Sequence, residues 1–82
     1  MGFRERPVKD DEFKRVLAHL GFSCRSKTGT SHEQWVKTDP DGTFWRVTVD
    51  SHNAPYHRKM LKLMLHQAGL KKNDFFAILA RL

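Results

Sequence analysis

One cysteine, Cys24, stands among the 82 residues, so no disulfide can close within the chain and a reducing compartment is expected. Nothing beside it in sequence would activate a thiolate, and it reads as a small core residue rather than a nucleophile. Long apolar runs are missing too. The N-terminal MGFRERPVK has no signal-peptide core, Arg6 breaks the myristoylation pattern, and the longest apolar run, FFAILA, is far too short to span a bilayer. A soluble, cytoplasmic protein with no membrane partner is expected. Glycine-rich phosphate loops of the GxxxxGK[ST] and GxGxxG kinds are absent. HEQWV is not HExxH, because Val36 stands four residues after His32, and the five histidines offer no tight ligand spacing beyond His52 and His57. No carboxylate pair suggests a magnesium-dependent nuclease. Neither metal nor cofactor is expected.

The chain also lacks the length for a deep cavity. One domain of 82 residues is expected, burying only about 60–65% of the surface its unfolded form exposes. Any chemistry must then sit on an open surface, which suits a polynucleotide or another protein. Charge of one sign is in excess, with fifteen Lys+Arg against nine Asp+Glu, a net +6. Residues 50–82 carry six basic and two acidic groups, so +4 of the +6 lies in the C-terminal part. That bias favours polyanions or an acidic partner, although simple solubility would explain it equally.

The hydrophobic pattern predicts the order α-β-β-β-α-α. Asp10 caps a helix to about Leu20, with Phe13, Val16, Leu17 and Leu20 in one stripe and Gly21 as its stop. FSCRSKT alternates as a first strand, with Phe22 and Cys24 on one side. EQWVKT follows as a second strand whose inward residue, Trp35 or Val36, is left open. The DPDG turn leads to TFWRVTVD, which would turn Trp45, Val47 and Val49 to the core and Phe44, Arg46 and Thr48 to the open face. A helix from about His57 to Ala68 would bury Met60, Leu61, Met64, Leu65 and Ala68, and present Arg58, Lys59, Lys62 and His66. Gly69 stops it. Asn73 caps a last helix with the stripe Phe75, Ile78, Leu79 and Leu82. The predicted fold is an α+β two-layer sandwich, helices on one face of an antiparallel sheet and the other face open.

KTGTSHEQW, residues 27–35, holds the most pointed chemistry. RNA carries its own nucleophile, the 2′-hydroxyl, and a protein need only take that proton, stabilise the phosphorane and help the 5′-oxygen leave. An imidazole titrates near neutrality, and His32 sits on the tight GTSH bend, flanked by Lys27, Lys37 and Arg46. Gly29 would let the backbone approach a phosphate, while Thr30 and Ser31 would offer donors. Arg58 and Lys59 would extend the basic track, although cations opposite an apolar stripe are more commonly a solvated helix face. A surface histidine at a strand start, with hydroxyls that merely satisfy turn amides, is the plainer alternative. An exposed Phe44 beside Arg46 would stack a base or dock a partner, or would be an ordinary exposed apolar residue.

LGF at residues 20–22, TSH at 30–32, PDG at 40–42, VTV at 47–49 and QAGL at 67–70 occur in this order. Together they resemble the HicA-type toxins of bacterial and archaeal toxin–antitoxin pairs, over roughly residues 10–70. The resemblance implies a double-stranded-RNA-binding-domain-like α-β-β-β-α core, here with a short extra helix at about residues 73–82. It also implies a metal-independent endoribonuclease that cleaves mRNA and arrests translation. An acidic HicB-type antitoxin would silence it, the toxin being monomeric when free and hetero-oligomeric with that partner. The family's essential histidine falls by motif on His32. Thr30 stands where the family has glycine, and DSHNAPY is shorter than the corresponding family segment, with His52 as its counterpart. Two rival readings share the fold: a non-catalytic RNA-binding module and a protein-interaction adaptor.

Overall fold

The computed structural model describes residues 6–25 and 32–82. Helix α1 spans Asp10–His19, strand β1 Ser23–Cys24, strand β2 His32–Thr38 and strand β3 Phe44–Asp50. A 3-10 turn over Ser51–Asn53 follows, then helices α2 (Arg58–Ala68) and α3 (Lys72–Arg81). The sheet is antiparallel in the order β1-β2-β3. This is the α+β order α-β-β-β-α-α that the periodicities predict.

Phe13, Val16 and Leu17 of α1 meet Val47 and Val49 of β3 and Leu61, Met64, Leu65 and Ala68 of α2 in one apolar core. Cross-strand partners share a sheet face, so the register Glu33↔Val49, Trp35↔Val47 and Lys37↔Trp45 turns all six residues toward the helices. The open face carries His32, Gln34, Val36 and Thr38 opposite Asp50, Thr48, Arg46 and Phe44. Trp35 therefore packs against the core, and Val36 is buried on the other side of the sheet, outside that core.

Several sequence expectations need correction. Asp10 is not the cap of α1; Lys9 is, and its N–H is taken by Glu12 Oε1 at 2.9 Å. Asp10 instead accepts the Tyr56 hydroxyl at 2.7 Å and pairs with Lys14 at 2.8 Å. Cys24 is exposed, because β1 is only two residues long and lies on the rim of the sheet. Met60 is exposed and Leu82 is 46% exposed, while Phe76, absent from the expected stripe, is buried. Lys71, not Asn73, caps α3. Val8 is fully buried and pairs through its backbone with Tyr56, a contact no periodicity announces.

Gly69 ends α2 at φ +67°, with its N–H on the His66 carbonyl and the Leu70 N–H on the Leu65 carbonyl. A Cβ there would come within 2.6 Å of the Trp45 ring. The indole cannot swing away freely, since its N–H donates to Asp39 Oδ2 at 2.8 Å. Gly69→Ala combines a left-handed-backbone penalty of about 1–2 kcal/mol with overpacking of about 1–3 kcal/mol. A fall in Tm of roughly 10 °C or more is expected by thermal denaturation. An unchanged Tm would mean that Trp45 yields at no cost.

Two carboxylates are held by cations, Glu12 at the start of α1 and Glu33 between sheet and helix. The Arg6 hydrogen bonds hold the Glu12 carboxyl below its ordinary range. Glu33 is held low by Lys14 of α1 and then by the Trp35 indole N–H. Because both folded-state values are depressed, their stabilisation is complete above the unfolded carboxylate range, about pH 4.3, and is lost as pH falls through the lower folded values. Tm should be flat from pH 7 to about 5 and fall below about pH 4. The double variant Glu12→Gln, Glu33→Gln should flatten that acid limb.

Candidate active site on the open sheet face

His32 does not sit inside the bend but opens β2, directly across from Asp50 at the end of β3. Its Nε2 lies 3.4 Å from Asp50 Oδ2. The histidine side chain is 63% exposed and the aspartate 18%. Asp50 is anchored independently of the histidine. Its Oδ1 accepts the His52 N–H at 3.0 Å, capping the 3-10 turn. Its carbonyl lies 3.2 Å from the Tyr56 hydroxyl, whose shorter bond runs to Asp10. Burial, and then the Asp10 hydrogen bond, push the Tyr56 phenol well above its usual range. The phenol therefore stays protonated and serves as a strut rather than an acid.

Glu33, next to His32 in sequence, points through the sheet to Lys14 and contributes nothing to the histidine's side. The same alternation corrects the expectation for Lys37. Its ammonium lies 5.0 Å from the Phe22 ring centroid and 3.5 Å from Asp39, on the helix-facing side, and so does not flank His32. Arg46 does share the histidine's face, but across from Val36, four residues from Asp50 along β3. At about 3.3 Å per residue that is roughly 13 Å away. Lys27, Gly29, Thr30 and Ser31 lie outside the described residues.

Helix α2 separates two surfaces. One flank and the start of α3 form a basic groove where Arg58, Lys62, His66, Lys71 and Lys72 converge. The other flank faces His32 and Asp50 across a groove of about 210 Å³. Lys59 is exposed and lines neither. Arg58 thus belongs to a cationic track on the far side of α2 from the histidine. Lys71 and Lys72 join it from the start of α3, after the left-handed stop at Gly69. Among the described residues, no three His, Cys, Asp or Glu side chains converge as a metal cluster.

A family model described as the HicA toxin of bacterial toxin-antitoxin matches residues 11–70. The chain belongs to the HicA toxin family. It is thus the toxin of a toxin–antitoxin pair, in a family generally of nucleases with RNA targets and antitoxin partners. No curated protein and no solved structure gave a match. The HicA match takes in α1, the sheet and α2 and stops at Leu70, before α3. No described helix is long and apolar enough to cross a membrane.

The site residue that sequence reasoning missed is Asp50. It closes the run TFWRVTVD, and the β2–β3 register alone brings it to His32. Counting back from the PDG turn would have paired residues 32 and 50, had the second strand been started at His32.

Proposed function

We propose that this HicA toxin is an endoribonuclease that cleaves mRNA at His32, and that a HicB-type antitoxin silences it. The observation that carries the reading is an exposed imidazole, placed by strand register beside an anchored carboxylate, on the open sheet face of a HicA toxin. Asp50, 3.4 Å from Nε2, orients the ring, and the imidazole acts on the substrate as the proton acceptor. The imidazole takes the proton of a ribose 2′-hydroxyl as its oxygen bonds to phosphorus. The bond from phosphorus to the 5′-oxygen then breaks, solvent protonates that oxygen, and the imidazolium returns its proton to solvent, so protons balance. The products are a 2′,3′-cyclic phosphate and a 5′-hydroxyl end, so the step as written consumes no metal, water or oxidant.

Asp50 is a positioning residue in this scheme, fixing tautomer and ring orientation as buried carboxylates do for other catalytic histidines. Asp50→Asn retains an acceptor for the His52 N–H but loses the charge facing the ring. A fall in kcat of about 10–100-fold with little change in KM is expected from single-turnover kinetics. Unchanged kcat would remove Asp50 from the mechanism.

Arg46 on the open face and the Arg58–Lys72 groove would steer the RNA backbone. Affinity should fall with salt at a log–log slope of roughly −0.7 per phosphate contacted. Arg58→Glu with Lys62→Glu should weaken binding and reduce that slope. Arg46, on the histidine's own sheet face, also complements an acidic inhibitor, which would cover His32 on binding. In a complex with the co-expressed antitoxin, His32 should lose most of its exposure. An imidazole still open to solvent in that complex would rule out silencing by occlusion.

A further inference from the structure

Helix α2 carries more apolar surface than the core uses. Leu61, Met64, Leu65 and Ala68 are buried, yet Met60 and Leu63 are 36% and 53% exposed. Both line the groove that His32 and Asp50 close from the sheet side, and the buried Met64 lies in its wall. Gln67 and Asn53 add polar groups. Gln67 is oriented: its Oε1 accepts the Thr48 N–H at 3.2 Å on the outer edge of β3, so its NH2 group is the end offered to a ligand.

We infer that this groove is a nucleobase subsite, which holds the base of the nucleotide whose ribose presents its 2′-hydroxyl to His32. The inference rests on the ribonuclease reading and gives it a substrate determinant. Three features select a base over other occupants. The groove is continuous with the imidazole, so a nucleotide reacting there must place its base within reach. Its volume, about 210 Å³, suits one planar ring system rather than a helix or strand of a partner. Its walls combine a polarizable thioether and a leucine, which take a ring face, with an amide NH2, which takes an acceptor on a ring edge. Base identity would therefore be read through acceptors facing Gln67.

The test uses the full-length toxin and a short RNA with one mapped cleavage site, in two forms. One form carries the normal base at the nucleotide that attacks, and the other is abasic there. Removing the base should lower kcat/KM about 10-fold for the wild type, and by less than about 2-fold for the variant Met60→Ala, Leu63→Ala. Both side chains are exposed, so the variant's Tm should stay within a few degrees of wild type. Gln67→Glu keeps an acceptor for Thr48 but removes the donors, and it should change which base is preferred at that position. Equal losses on the abasic RNA for wild type and double variant, with the preference unchanged in Gln67→Glu, would overturn the subsite and leave the ribonuclease standing. So would a double variant that cleaves normally but no longer binds its antitoxin, which would make the groove a protein interface. A wild type that cleaves neither RNA would sink both readings together.

Discussion

His32→Ala is expected to slow RNA cleavage by about 10³-fold, within the 10²–10⁴-fold that a positioned proton-transfer group supplies. It should also abolish growth arrest when the gene is induced. The side chain is 63% exposed and belongs to no apolar cluster, so its loss leaves no cavity. Tm should therefore change little, which separates loss of chemistry from loss of fold. KM should change less than kcat, because the proposed phosphate contacts of Arg46 and the basic groove are left in place. A variant that remains equally toxic, with unchanged cleavage, would place the chemistry elsewhere.

The second large effect concerns α3, which the family match omits. Phe75 is fully buried, its ring 5.4 Å from Phe13 of α1 and 5.2 Å from Phe76. Phe13 in turn meets Tyr56 edge-on at 5.9 Å, so α3 reaches the strut behind Asp50 through one aromatic chain. Removing a buried phenylalanine costs about 3–5 kcal/mol, a large share of the 5–15 kcal/mol that holds a typical domain. Phe75→Ala should lower Tm by at least 12 °C or so, and deletion of residues 71–82 should leave a largely unfolded chain by circular dichroism. A stable, active deletion would show that α3 is an appendage.

How legible this was depended on what each feature requires. The stripe Phe13, Val16, Leu17 and the alternation Trp45, Val47, Val49 reported their own burial, because one period and one face decide it. Met60, expected in the buried stripe, failed that test, and Leu63 is exposed as well. Both are apolar on α2 and both face the groove beside His32, since periodicity identifies an apolar flank without saying what covers it. Asp10 was misread as a cap because the sequence does not show Tyr56, 46 residues later, competing for its carboxylate. Lys37 and Asp50 depended on register. Starting β2 at His32 moves Lys37 to the helix side and brings Asp50 to the histidine, and no local propensity carries that information. The motif singles out His32 as a candidate; the carboxylate 3.4 Å from it has no such signal.

The central claim is that His32 activates a ribose hydroxyl to attack its own phosphodiester. It is tested most directly with a transcript carrying a single 2′-deoxynucleotide at a mapped cleavage position, incubated with purified toxin in chelator. The account predicts that cleavage vanishes at that position alone, while the remaining sites still yield 2′,3′-cyclic phosphate ends. Continued cutting at the deoxy position would contradict it.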